Sequence, residues 1–156
     1  MFSAIDAFQD KELGVGADVT SIANASRSLG VRLPDSYRAF LLKCGWARFA
    51  HEEICGLGPT VPAYLDLTAT AKLERESAYH GMPNHLVPLM NDGAGNQYCI
   101  DSSADEGGES PIVFWDHESG RATERVAPSF ATWLIGRLNR LRSIPKDASW
   151  MDLRDG

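Results

Sequence analysis

Apolar residues recur at helical spacing in two segments near the start of the chain. The pattern predicts a first helix that begins at Asp18 or Thr20, either of which can cap it, and that ends at Gly30. A second helix is expected between Pro34, which suits a first helical turn, and Gly45. The apolar stripe of this second helix consists of Tyr37, Phe40, Leu41 and Cys44.

The middle of the chain changes from helical to strand-like patterning. Residues 46–57 mix aromatic and β-branched residues with charges and end in glycines, which indicates two short strands. Residues 62–77 carry apolar positions at helical spacing and predict a third helix. Short apolar runs bounded by Asn, Asp, Gly or Ser then predict three strands and a shorter fourth one, at 86–90, 97–100, 112–115 and 123–126.

The pattern closes with an amphipathic helix that has Ser129 as its N-cap. Its apolar positions fall at offsets 0, 3, 4, 8 and 11, on Phe130, Trp133, Leu134, Leu138 and Leu141. Helices, then strands, then a helix, without alternation of strand and helix, predict an α+β domain with a mainly antiparallel β-sheet flanked by helices. Its core should include five aromatic side chains, Tyr37, Phe40, Trp115, Phe130 and Trp133.

The composition is that of an acidic globular domain. At 156 residues, of which 44% are hydrophobic, the chain is long enough for one core, and we expect a single domain over residues 1–156. The net charge of −6 disfavours nucleic acid as a partner and favours a basic one. Neither a secretory signal nor a run of about 18 apolar residues occurs, so we expect a cytoplasmic location and no membrane partner. Three cysteines without a CxxC pair predict buried, reduced thiols: Cys44, Cys55 and Cys99.

The sequence contains no complete motif for catalysis, metal binding or cofactor binding. The glycines at 93 and 95 lack the lysine of a phosphate loop, and the acidic stretch that begins at Asp101 has Glu106 and Ile112 where a calcium loop needs glycine and glutamate. The four histidines form no HExxH motif, and no GxSxG occurs. We therefore expect no metal, no cofactor and no catalytic residue. Acid–base chemistry at the strand-end carboxylates Asp92, Asp101 and Asp116 stays open as an alternative.

Negative charge is concentrated in the middle of the chain. Residues 81–120 contain seven Asp and Glu and neither Lys nor Arg, so this stretch carries −7. These acids either form a negative surface for a partner or are ordinary solvated loop residues. The candidate partner-binding residues are six of these acids, together with one aromatic residue as an anchor: Asp92, Asp101, Asp105, Glu106, Asp116, Glu118 and Trp46.

Five pieces of the chain occur in an order typical of a known family. They are a Leu-Pro pair before a helix within 29–45, a short strand at 54–57, a hairpin at 87–101, a strand at 111–117 and a helix start at 129–134. Together they resemble the SUKH superfamily of SMI/KNR-type domains, which includes fungal cell-wall regulators and bacterial immunity proteins. The likeness covers about residues 18–141 and leaves 143–156 as a C-terminal extension. The matching motifs are signatures of the fold, so the resemblance transfers no catalytic residue.

The resemblance implies a non-catalytic immunity protein that binds and neutralises a cognate toxin. A basic nuclease is the favoured toxin, because a nuclease presents a cationic cleft that an acidic inhibitor can face. A regulatory protein-interaction scaffold with no toxin partner is the first alternative, and a hydrolase that uses strand-end carboxylates is the second. The oligomeric state stays open.

Overall fold

The computed structural model describes residues 1–145, which form helices and two β-sheets. The helices are α1 (Phe2–Ala7), α2 (Val19–Leu29), α3 (Asp35–Lys43), α4 (Leu67–Arg75) and α5 (Phe130–Ser143), with a 3-10 helix at Ala63–Leu65. The strands are β1 (Lys11–Leu13), β2 (Ala47–Phe49), β3 (Glu52–Ile54), β4 (Leu86–Asn91), β5 (Gln97–Asp101), β6 (Ile112–Asp116) and β7 (Arg121–Ala127). Residues 146–156 of the predicted C-terminal extension lie outside the described residues.

Both sheets are antiparallel, which confirms the predicted α+β class. The first has the order β1-β2-β3, and the second is a meander in the order β4-β5-β6-β7. The sheets are joined where Cys55 N, just after β3, donates to Leu89 O in β4 at 2.8 Å. The expected strands are thus divided between a small sheet at the N-terminal side and a larger one formed from the second half of the chain.

The first seventeen residues contain two elements that the sequence pattern did not predict. Helix α1 has six residues and β1 has three, too few for a periodic signal. Tertiary contacts hold them in place: Ile5 and Phe8 are buried, and the Phe8 ring meets Phe49 edge-on at 5.7 Å. Strand β1 pairs with β2 at the edge of the small sheet.

The predicted third helix is divided in two. Its first part is the 3-10 turn Ala63–Leu65, and α4 starts only at Leu67. Asp66 between them has an extended backbone, and its carboxylate accepts from Ala69 N at 2.9 Å. A carboxylate that satisfies a free N–H of the first turn starts a new helix there, so the chain changes direction at Asp66.

The predicted caps of α2 and α5 agree with the structure, whereas Pro34, expected in the first turn of the second helix, is the extended N-cap of α3, which ends at Lys43, before Gly45. Asp18, one of two candidates, is the N-cap of α2 and accepts from Ser21 N at 2.7 Å. Gly30 ends this helix in the left-handed conformation, at φ 69°, where a side chain would be strained. Ser129 caps α5 through Thr132 N at 3.1 Å. These caps are local interactions, which is why the sequence alone predicts them.

Arg75 fixes the last turn of α4 against its surroundings. Its guanidinium donates to Leu29 O at 3.0 Å and to Asn84 O at 2.7 Å, so it joins the end of α2 to the loop before β4. Burial lowers the pKa of this guanidinium from its usual value. The arginine therefore acts as a structural cation that stops three backbone segments from separating.

The five predicted core aromatics are all buried, with exposed fractions of 0–4%. Tyr37, Phe40 and Phe130 form one cluster, in which the Phe130 ring centroid lies 4.9 Å from Tyr37 and 5.2 Å from Phe40. Trp115 instead belongs to a second, smaller apolar cluster together with Met82, Leu86, Cys99 and Val113. The three cysteines are free and buried, as predicted. No helix among residues 1–145 is long and apolar enough to cross a membrane.

Candidate partner-binding groove

The antiparallel meander places the predicted binding acids at two opposite ends of the large sheet. Asp92 follows β4, and Asp116 and Glu118 lie at the β6–β7 turn, which is at the same end. Asp101, Asp105 and Glu106 lie at the other end, on the connection from β5 to β6. The acids therefore form two separate groups and not one continuous surface. We call the first group the hairpin-end acids and the second group the loop-end acids.

Two of the hairpin-end acids organise the turns on which they lie. Asp92 accepts from Ala94 N at 2.8 Å and from Asn96 Nδ2 at 2.9 Å. Asp116 accepts from the backbone N–H of Glu118 and of Ser119, and these hydrogen bonds hold the pKa of its carboxyl below the usual value. The two turns are tied together because the Asn96 side chain accepts from His117 N at 3.2 Å. The hairpin end is thus rigid and negatively charged.

The loop-end acids are engaged with cations and hydroxyls of the protein itself. Asp105 lies 3.4 Å from Arg32 and Glu106 lies 3.8 Å from Arg125. Asp101 accepts from Ser103 Oγ at 2.6 Å. These contacts partly neutralise the loop end and hold the loop in shape, which leaves less charge there for a partner.

Trp46 is buried at 7% exposure and donates from Nε1 to Thr60 Oγ1 at 3.2 Å. Its ring therefore fills the protein interior beside β2, and it presents little surface to a partner. The structure brings Trp46 together with neither group of acids. Its assignment as an interface anchor has no support from this placement.

A concavity of about 1080 Å³ lies where the β4–β5 hairpin meets β3, α4 and the end of α5. We call it the hairpin groove. Its lining includes four carboxylates and two guanidiniums, from Glu52, Glu53, Glu74, Asp92, Arg137 and Arg140. Of the predicted binding residues, Asp92 lies in this lining. The groove is therefore continuous with the hairpin end of the sheet.

One wall of the hairpin groove is built on a buried ion pair. Arg137 in α5 donates from Nε to Glu52 Oε2 at 3.1 Å, and a second nitrogen of the same guanidinium contacts the other carboxylate oxygen. The guanidinium also lies over the Tyr98 ring, 5.0 Å from its centroid. Burial lowers the pKa of Arg137, but hydrogen bonding and the charge of Glu52 outweigh it and leave the pKa above its usual value. This pair connects the small sheet to the closing helix.

The lining of the groove also includes exposed apolar and aromatic surface. Leu73 in α4 is 74% exposed and Tyr64 is 68% exposed. The neighbouring Glu53 carboxylate raises the pKa of the Tyr64 phenol above its usual value. Exposed apolar surface with polar residues around it is typical of a surface that a protein partner covers.

A second, smaller concavity has the opposite charge. It lies between α2 and α3, has a volume of about 600 Å³ and is lined in part by Arg27, Arg32 and Arg38. Arg32 also pairs with Asp35 at 2.9 Å. The arginines make this concavity less suited to a basic partner than the hairpin groove.

The described part of the chain contains no group of three or more His, Cys, Asp or Glu side chains that could hold a metal ion. The strand-end carboxylates proposed for acid–base chemistry are likewise dispersed, because Asp101 lies at the end of the sheet opposite Asp92 and Asp116. Asp101 therefore cannot act on the same substrate as Asp92 or Asp116.

Residues 1–139 match the model of the family described as SMI1-KNR4 cell-wall, SUKH_5. The chain belongs to this SUKH family. The match extends to residues 1–17, so α1 and β1 are part of the SUKH domain, although the motif resemblance begins only near residue 18. Membership of this family suggests that the chain binds another protein.

Sequence reasoning missed most of the groove in this SUKH protein. Glu52, Glu53, Glu74 and Gln97 come from three different elements, and each by itself looks like an ordinary surface residue. Only Asp92, which follows a predicted strand within the acidic stretch, carried a signal. The others are brought together by packing between elements distant in sequence, and no local pattern records that packing.

Proposed function

We propose that this SUKH protein is a non-catalytic immunity protein that binds a basic protein toxin through the hairpin groove and blocks its activity in the cytoplasm. The observation that supports this proposal is the lining of the groove. Glu53, Glu74 and Asp92 supply carboxylates there, next to the exposed surfaces of Tyr64 and Leu73. A preformed concavity that combines negative charge with apolar surface suits a protein partner with a cationic protrusion or cleft.

Charge complementarity favours a nuclease among the possible toxins. A nuclease must hold phosphate groups and therefore presents lysine and arginine at its active site. An inhibitor that covers this site gains affinity and association rate when it is anionic. Asp116 and Glu118, at the same end of the sheet as the groove, extend the negative field beyond the contact surface itself.

The test compares two variants with the same change in net charge. The groove variant combines Glu53→Gln, Glu74→Gln and Asp92→Asn, and the loop-end variant combines Asp101→Asn, Asp105→Asn and Glu106→Gln. Each is produced together with any toxin domain that is encoded beside the gene of this protein, and both cell survival and affinity are measured. We expect the groove variant to lose affinity by at least about a hundredfold, since desolvated carboxylates at an interface cost roughly 2–5 kcal/mol when truncated.

Rising salt should weaken the complex of the parent protein, because exposed charge pairs are screened beyond about 8 Å at physiological ionic strength. The loop-end variant should keep both affinity and salt dependence. Loss of protection in the loop-end variant alone, with the fold intact, would place the toxin on the other end of the sheet.

Absence of any toxin gene beside this one, together with failure to inhibit basic nucleases, would favour a regulatory scaffold that uses the same groove for another protein. Turnover of a substrate that disappears in Asp92→Asn and in Asp116→Asn, the two strand-end carboxylates that lie at the same end of the sheet, would instead indicate a hydrolase.

A further inference from the structure

We propose that the concavity between α2 and α3 binds an acidic segment of another protein, in which an apolar side chain lies between carboxylates. We call it the arginine concavity. Its charged lining residues are Arg27, Arg32 and Arg38. It has no lining residue in common with the hairpin groove, so this second surface goes beyond the proposed function and does not depend on it.

The floor of the arginine concavity is one face of α2. The α2 residues in the lining recur at spacings of three and four, as the members of a single helical face do: Val19, Ile22, Ala23, Ser26 and Arg27. Leu42 of α3 lines the same concavity. Val19 is 68% exposed and Leu42 is 46% exposed. Two large apolar side chains of adjacent helices are therefore open to solvent in one depression of the surface.

Positive charge exceeds negative charge in this concavity. None of its lining residues is Asp or Glu. Arg32 and Arg38 share one carboxylate oxygen, Asp35 Oδ1, at 2.9 Å and 4.0 Å, and Arg32 also lies 3.4 Å from Asp105. Arg27 is exposed and has no ion pair within residues 1–145. A chain with a net charge of −6 thus has a local cationic surface here.

Carboxylates are the groups that suit these arginines. A guanidinium presents a planar fork of donors that matches a carboxylate, and Arg27 and Arg38 have donors that no close intramolecular ion pair uses. Because these two arginines belong to different helices, a segment lying between the helices can contact both.

The apolar floor selects a protein segment over other anions. A leucine or isoleucine between two acidic residues would cover Val19 and Leu42 while the flanking carboxylates bind the arginines. A phosphate ion or a sugar–phosphate backbone would neutralise the arginines but would leave the apolar floor in water. The combined chemistry therefore favours an acidic, amphipathic segment.

The test uses labelled peptides and the full-length protein. The fluorescein-labelled hexapeptide Glu-Glu-Leu-Leu-Glu-Glu is titrated with the protein, and binding is followed by fluorescence anisotropy. Glu-Glu-Ser-Ser-Glu-Glu, which has the same charge without the apolar anchor, is the matched control peptide. We expect saturable binding of the leucine peptide with a Kd below about 1 mM, and binding of the serine peptide that is at least about tenfold weaker.

Two double variants separate the concavity from the general charge of the protein. Arg27→Gln with Arg38→Gln removes two charges from the concavity and should weaken binding of the leucine peptide by at least about tenfold. Lys72→Gln with Arg121→Gln removes the same charge from residues outside both concavities and should change the affinity by less than about twofold. Urea unfolding of both variants checks that they remain folded.

A third variant tests the apolar floor. Leu42→Gln keeps the length of an exposed side chain and removes its apolar end. It should weaken the leucine peptide by about fivefold and leave the weak binding of the serine peptide unchanged.

Three results would overturn the proposal. The first is no saturable binding of the leucine peptide, or equal binding of the serine peptide. The second is tighter binding of labelled hexathymidylate that depends on Arg27 and Arg38, which would make the concavity a nucleic-acid site. The third is a dimer of the protein alone, in sedimentation, that dissociates in the Arg27→Gln and Arg38→Gln variant, which would make a second copy the occupant. Toxin protection is measured separately, so either proposal can fail while the other stands.

Discussion

The carboxylate of Glu109 accepts two hydrogen bonds from Ser36, one from the backbone N at 2.8 Å and one from the hydroxyl at 2.9 Å. The Ser36 hydroxyl in turn accepts from Ala131 N at 3.1 Å. One serine therefore joins the connection between β5 and β6 to the N-terminal turns of both α3 and α5. Glu109 belongs to the acidic stretch of the sequence, yet its role in this position is to hold elements together.

Glu109→Ala should destabilise the protein by about 1–3 kcal/mol, because it removes two hydrogen bonds to a charged group at a helix N-terminus. Urea unfolding at neutral pH measures this change. Glu118→Ala removes an exposed carboxylate of the same length and should change stability by less than about 0.5 kcal/mol. Equal effects of the two substitutions would show that the contact with Ser36 contributes nothing.

Phe40→Ala should cost about 3–5 kcal/mol, since the ring is fully buried between Tyr37 and Phe130. The matched control is Leu73→Ala, which truncates a side chain that is 74% exposed and should cost less than about 0.5 kcal/mol. Denaturant unfolding of both variants provides the measurement. An unchanged midpoint for Phe40→Ala would contradict the assignment of α3 to the core.

Arg137→Met should destabilise the protein by about 3–5 kcal/mol, because it leaves Glu52 as an uncompensated buried charge. Combining it with Glu52→Gln should recover part of the loss, since the double variant buries no unpaired charge. A double-mutant cycle on unfolding free energies measures the coupling. Additive losses would mean that the two side chains do not interact in solution.

Stability should fall as the pH rises above about 9. Burial raises the pKa of the Cys55 thiol from 9.0 to about 12, and burial also raises the pKa of Tyr37 well above its usual 10.0. The unfolded chain releases these protons at lower pH than the native protein does, so their stabilising contribution is complete below pH 9 and is lost progressively toward pH 12.

Urea midpoints measured between pH 7 and about pH 11 test this expectation. In Cys55→Ala the decline should be shallower than in the parent protein, because Tyr37 alone remains of the two. A midpoint that stays constant or increases over this range would contradict the assigned burial of both groups.

The elements that sequence patterning predicted are those with local signals. Helix α5 has its serine cap and a regular apolar stripe, and β4, β5 and β6 are apolar runs bounded by turn residues. Asp66 is also a local helix cap, but the periodic pattern of residues 62–77 predicted one continuous helix across it. Periodicity alone does not separate two consecutive helical segments that share an apolar face.

The candidate site was less predictable than the fold because charge along a chain does not show where the charges meet. Asp92 and Asp101 are nine positions apart, yet the hairpin places them at opposite ends of the sheet. Glu53 and Glu74 lie outside the acidic stretch and face the same groove as Asp92. The composition predicted that the chain is negatively charged. The acids that meet in one groove could not be predicted, because tertiary packing brings them together.

The separation of the two acid groups along the meander also makes them electrostatically independent. Strand β5 has five residues, which correspond to about 17 Å, roughly twice the screening length at physiological ionic strength. A charge introduced at the groove is therefore hardly felt where Arg32 and Arg125 anchor the far loop. Substitutions that reverse the charge of the groove should therefore leave the ion pairs of Arg32 and Arg125 at the far loop unchanged.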